Sequence, residues 1–219
     1  MIPLKDENPT HIFPLVTTGV ILLNCIFFLY QLSWGRGLVL RLGAIPYEIT
    51  HGVDIPPSSP IPVRLTPFTS MFMHGGLLHI GGNMLYLWIF GDNVEEKIGH
   101  LRFLFFYLGC GLAAEGLQIL TNPGSEAPMI GASGAIAGVL GAYLVRFPRA
   151  RVLTLIVFGY FIRLVKVPAF LLLGLWFFIQ LLNGIPSLGG RFGEGVAWFA
   201  HIGGFVAGVM GAKFLGKRR

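Results

Sequence analysis

The stretch IGASGAIAGVLGAYLV, Ile130 to Val145, decides how this chain is read. It is apolar except for Ser133 and the phenol of Tyr143, and Arg146, Arg149 and Arg151 follow it directly. As a helix its sixteen residues span about 24 Å, short of the ~30 Å hydrocarbon core of a bilayer. If the arginines pin its C-terminal end at one surface, its N-terminal end lies below the other, and Ser133 is carried down with it. Irregular backbone at such depth has to be sheltered by protein or line a wet cavity. A buried hydroxyl also needs partners, so a polar group at this depth is a functional candidate.

The whole chain fits that setting. Of its 219 residues, 54% are hydrophobic and only 12% charged, about half the charge of an ordinary soluble domain. Its mean hydropathy is +0.72. Six spans can be drawn, over residues 13–32, 71–90, 101–120, 130–145, 167–182 and 196–215, in one membrane domain covering 1–219. The expected fold class is therefore an all-α polytopic bundle of six transmembrane helices. Val152–Ile162 is also apolar, but it is short and fenced by Arg149, Arg151, Arg163 and Lys166. It reads as an interfacial segment rather than a seventh crossing.

Charge placement sets the expected topology. With both termini inside, twelve Lys and Arg fall in inner segments and four in outer ones. That asymmetry predicts cytoplasmic termini, as in a bacterial inner membrane. The net charge of +6 follows this distribution and does not call for nucleic acid. The N-terminal MIPLKDENPTHIFP has mixed charges, and the apolar stretch after it runs on past Phe28 without a small-residue cleavage site, so it reads as a retained first span rather than a signal peptide. Cys25 and Cys110 both lie in apolar spans, without a C-x-x-C, and read as small fillers. The long first outer loop, 33–70, either folds on the bundle or is partly disordered. The four tryptophans read as interfacial anchors.

The sixth span holds a partner for Ser133. It reads Ala200-His201-Ile-Gly-Gly204-Phe-Val-Ala-Gly208, and Gly204 and Gly208 form a G-x-x-x-G, as do Gly134 and Gly138. Small residues at this spacing let membrane helices approach closely. Both spans run inward from the outer face, so Ser133 and His201 lie at similar depths and a hydroxyl–imidazole pair can form, the geometry of an activated nucleophile. The plainer reading is that the glycines only pack helices and His201 bonds a carbonyl.

In the second span, MHGGLLHIGGNM places His79 and Asn83 at i, i+4, on one helical face. Two neutral donors aimed together suit an oxyanion hole. A metal site is the rival. His74 and His79 are five residues apart and poorly aligned, and no Cys or carboxylate joins them at ligand spacing. No metal or cofactor is expected, and His74 reads as structural or solvent-facing. Glu115, with Gln118 a turn later, reads as a hydrogen-bonding group near the outer interface, with a third catalytic role as the alternative. Glu95, Glu96 and Lys97 read as a helix end and loop anchor.

These motifs in this order, His74-Gly-Gly-Leu-Leu-His79-x-x-x-Asn83, Gly91-Asp-Asn-Val-Glu95, Gly131-Ala-Ser133-Gly and Ala200-His201-x-x-Gly204-x-x-x-Gly208, resemble the rhomboid family of intramembrane serine proteases. The resemblance implies a six-helix core with no Asp completing a triad, Ser133 as nucleophile and His201 as general base and then acid. It also implies an oxyanion hole lined by His79, Asn83 and the Ser133 backbone N–H. The substrates would be transmembrane segments of other proteins, cut through an acyl-enzyme. Two departures stand out. Val63-Arg64 occupies the place of a Trp-Arg in the first outer loop, and Ala137 stands where some members stack an aromatic on the histidine, whose orientation must then come from other packing. Gly-rich Ser187–Gly195 reads as a mobile cap, with the fifth span as a side gate. A non-proteolytic helix-binding relative and a small proton or solute transporter are the other classes. The sequence sets no oligomeric state.

Overall fold

The structure is a computed structural model and describes residues 1–187 and 196–214. Six longer helices form the body: α1 (Leu15–Trp34), α5 (Leu77–Ile98), α6 (His100–Thr121), α7 (Ser133–Arg146), α8 (Ala169–Ser187) and α9 (Trp198–Phe214). Between α1 and α5 lie the short helices α2 (Arg36–Leu42), α3 (Pro46–His51) and α4 (Thr66–Ser70). By length and composition α1, α6 and α8 qualify as membrane crossings, and α7 is a shorter apolar helix. These helices begin and end within a few residues of the spans drawn from sequence. The second is the exception: drawn over 71–90, it is a helix over Leu77–Ile98. Hydropathy stops where Asp92 and Glu95 begin, but the backbone continues because those groups find partners.

The partners come from the N-terminus. No side chain of α1 caps its own N-terminal end, where free N–H groups need acceptors. The fully buried Glu95 carboxylate accepts from the backbone N–H of Val16 (2.8 Å) and Thr17 (2.7 Å) and from the Thr17 hydroxyl (2.6 Å). Its negative charge also faces the positive end of the α1 dipole. Asn8 pairs with Asn93, and Thr10 donates to Asp92 at 3.0 Å. The expected helix end and loop anchor is therefore a cap supplied by a neighbouring helix.

The all-α expectation is corrected by a three-stranded antiparallel sheet in the order β1 (Ile2–Asp6), β2 (Arg151–Phe158), β3 (Phe161–Pro168). The apolar segment after α7 is a hairpin, with Thr154 opposite Val165 and Ile156 opposite Arg163. β-Branched residues favour extended backbone, and Gly159 at φ 57° makes the turn. The first loop, 33–70, is folded. Ala44 and Met129 exchange backbone hydrogen bonds, and Thr69 donates to the Leu42 carbonyl. The proposed cap, Ser187–Gly195, lies outside the described residues beyond its first position, as do the C-terminal basic residues from Lys217.

The packing that positions the site is the α7–α9 seam. A Cβ on Gly204 would lie 1.9 Å from the Gly134 carbonyl oxygen, one on Gly208 1.9 Å from that of Gly138, and one on Gly141 2.3 Å from that of Phe205. The two helices touch backbone to backbone, which only glycine permits.

Candidate functional site

Ser133 opens α7 and is half-buried, and His201 lies in the first turn of α9. The seam brings them together: His201 Nε2 is 2.8 Å from Ser133 Oγ. The plainer sequence reading, in which His201 bonds only a carbonyl, is not what the structure contains.

The other imidazole nitrogen meets a residue the sequence reading passed over. His201 Nδ1 is 2.8 Å from Oε1 of Gln180, which is 5% exposed in the middle of α8. Gln180 Nε2 donates to the Trp176 carbonyl at 2.9 Å. The ring of Trp176 lies 5.7 Å from the histidine ring, and that of Trp198 lies 6.3 Å away at 90°. With Ala137 small and buried, these contacts supply the orienting packing. Trp176 and Trp88 are thus mid-helix, whereas Trp34 and Trp198 are at helix ends as expected. The signal for Gln180 was present, as an amide inside an otherwise apolar helix.

The donors form the opposite wall. Gly75 N–H donates to His79 Nδ1 at 3.2 Å, which leaves the His79 proton on Nε2. That nitrogen points at Gly131, where a Cβ would lie 2.7 Å away; the Asn83 amide nitrogen would be 3.5 Å from the same atom. Asn83 Nδ2 is buried and makes no hydrogen bond among the described residues. Gly131 sits at φ 113°, open to glycine, and its N–H is tied to the Ser70 carbonyl at 2.9 Å. Two neutral donors and the uncapped N-terminal end of α7 therefore converge beside the serine. A buried unpaired donor costs free energy, and a developing anion would recover it.

His74 is fully buried, which corrects the solvent-facing alternative. Its backbone is held by both ends of the Gln31 amide, and its ring lies edge-on to His79 at 5.1 Å. Glu115 lies 2.9 Å from the Ser70 hydroxyl and lines a small cavity of about 20 Å³ with Ser133, Gly131 and Met71. That is room for about one water molecule. Gln118 accepts from Ala200 N–H at 3.2 Å, at the start of α9.

Residues 64–218 match the rhomboid domain family. The chain is similar to rhomboid protein 1, mitochondrial, of Saccharomyces cerevisiae, at 31% identity over 160 residues, 70% of this chain and 42% of that protein. It is 33% identical over 148 residues to the rhomboid protease GluP of Bacillus subtilis, covering 68% of this chain and 25% of that one. RHOMBOID-like protein 1 of Arabidopsis thaliana is 33% identical over 150 residues, 68% of this chain and 34% of its own length. The chain belongs to the rhomboid family and is an integral membrane protein. It spans between a quarter and about two fifths of the length of these relatives.

Proposed function

We propose that this chain is an intramembrane serine endopeptidase that cuts transmembrane segments of other membrane proteins. The observation that carries it is the 2.8 Å contact between Ser133 Oγ and His201 Nε2 beside His79 Nε2 and the Asn83 amide, which has no hydrogen-bond partner among the described residues. Ser133 Oγ attacks the scissile carbonyl as His201 Nε2 takes its proton, and the same proton then goes to the leaving amine. His79 Nε2–H, Asn83 Nδ2–H and the Ser133 backbone N–H face the oxyanion. Water, with His201 as base, hydrolyses the acyl-enzyme, and the cavity beside Ser133 and Glu115 has room for it. Helical backbone hides its carbonyls, so substrate segments with Gly, Ala or other weak helix formers near the outer face are favoured.

Six crossings, a single domain over 1–219, cytoplasmic termini and a bacterial inner membrane complete the reading. The charge distribution supports it, and mitochondrial relatives make an organelle membrane the competing location.

The test is cleavage of a type I membrane helix by purified wild type, Ser133→Ala and His201→Ala, with fluorophosphonate labelling alongside. Cleavage and labelling are expected in wild type and absent from Ser133→Ala. Proton or solute flux in liposomes that persists in Ser133→Ala, without cleavage by wild type, would replace this reading with a transporter.

A further inference from the structure

Resting on the protease reading, we propose that Gln180 is the positioning residue of the site and takes, without charge, the place of a triad carboxylate. Gln180 Nε2 is committed to the Trp176 carbonyl. A flipped amide would set two carbonyl oxygens against each other there, so Oε1 must face the histidine. An acceptor facing Nδ1 requires Nδ1 to carry the imidazole proton. Nε2 is then unprotonated, with its lone pair aimed at the Ser133 hydroxyl. A single amide on α8 thereby selects the reactive tautomer and ring plane of a histidine on α9.

Neutrality suits the place. A carboxylate at this 5% exposed position would have to be desolvated and would favour the imidazolium, so that the free base forms only at higher pH. The described residues of α8 include no titratable side chain. Among the described residues, the titratable groups gathered round the site are His79 from α5, with His74 edge-on to it, and Glu115 from α6.

The test uses the full chain in detergent or bilayers, after wild-type cleavage and its loss in Ser133→Ala are established. Gln180→Leu is expected to lower kcat about 10- to 100-fold with little change in KM, as when an orienting partner is lost. Gln180→Glu is expected to retain folding and to move the acidic limb of the pH–rate profile upward, because a carboxylate favours the imidazolium. That shift reports the contact itself, whereas a glutamine that only packs the helices would leave kcat in folded Gln180→Leu unchanged. Imidazole ¹⁵N spectra of wild type should show the His201 proton on Nδ1. A proton on Nε2, or wild-type kcat and pH profile in both variants, overturns the proposal. The spectrum does not depend on cleavage, so failure of the protease reading and failure of this one are told apart.

A separate observation concerns the β2–β3 hairpin. Its distal half presents Val157 (51% exposed), Phe158 (80%), Tyr160 (104%), Ile162 (66%) and Leu164 (60%). Nothing among the described residues covers them, and contiguous apolar surface of this kind marks an interaction site. The hairpin joins α7 and α8, both apolar helices, so its root stands at a membrane surface. Arg149 precedes β2, Arg151 opens it opposite Pro168, and Lys166, opposite Leu153, pairs with Glu7; Arg163 lies farther out, opposite Ile156, where its long side chain can reach back to the headgroups. No Asp or Glu occurs between Glu126 and Glu194. We infer that the hairpin tip inserts into the leaflet facing that root and that its cationic fringe binds anionic lipid headgroups there. A second copy of the hairpin would set like charges against each other.

The test places an environment-sensitive fluorophore on Tyr160→Cys, in a Cys25→Ser/Cys110→Ala background, in nanodiscs holding one protein each. Blue-shifted emission shielded from aqueous iodide, more so in phosphatidylglycerol than in phosphatidylcholine, is expected. Arg163→Gln should shrink the difference between the lipids. Water-like emission, quenched alike in both lipids, overturns the inference, as does shielding that appears only when two copies share a bilayer.

Discussion

The α7–α9 seam and the knot at the start of α1 join parts of the chain by opposite means. At the seam the contact exists because side chains are missing: Gly204 and Gly208 leave backbone against the Gly134 and Gly138 carbonyls. At the knot, side chains do the joining, with Glu95 accepting three hydrogen bonds from the first turn of α1. A glycine seam fixes interhelical distance and has almost no slack, which suits two groups that must stay within hydrogen-bond reach. A carboxylate knot fixes where a segment starts while leaving the far end of the molecule undisturbed. The seam should therefore govern chemistry, and the knot stability alone.

The largest effect should come from Gly204→Val. Its Cβ cannot be placed without parting the helices, so cleavage should fall at least ~100-fold, the scale set by ångström-size misplacement of reacting groups. Melting should also show a loss of about 3 kcal/mol or more. Asn83→Ala should lower kcat ~100-fold, as expected for one oxyanion donor, while its thermal midpoint holds or rises because an unpaired buried donor is removed. Such a variant shows that chemistry can be lost without disturbing the seam. Glu95→Ala should give the reverse pattern. It should cost about 3 kcal/mol, the order for stripping the partner from buried polar groups, with cleavage per folded molecule unchanged. Loss of activity in folded Glu95→Ala would break the division between the two regions.

The smallest effect concerns Asp6, which accepts a hydrogen bond from Tyr143 at 2.6 Å next to the knot. Burial pushes its carboxyl above the ordinary value of 3.8, with the Tyr143 bond acting in the opposite direction. A raised folded value means that its contribution to stability is fully present below about pH 3.8 and is lost as pH rises through the folded value. Asp6→Asn should cancel that loss. Melts from pH 4 to 7 should be flatter than in wild type, with the advantage of the variant growing toward neutral pH.

What the sequence disclosed follows from the range of the interactions involved. The meeting of Ser133 with His201, and of His79 and Asn83 with Gly131, was legible because a polar group in an apolar run is conspicuous, and the glycine spacing signalled which helices meet. Gln180 was equally conspicuous but needed a partner three-dimensionally adjacent and 21 residues away. The sheet was hidden because β2 is apolar on both faces near its tip, so no two-residue alternation shows, and its partner β1 lies more than a hundred residues earlier. The end of α5 was misplaced for a related reason. Its last two turns look like a solvated loop until Asn8, Thr10 and Thr17 arrive from the other end of the chain to satisfy them.

The seam has a consequence for traffic. Where two helices meet through main-chain atoms, no polypeptide can pass between them, so that side of the cavity is walled. A guest reaching Ser133 has to arrive by another flank, and any opening motion must be borne by helices whose contacts are made of compressible side chains.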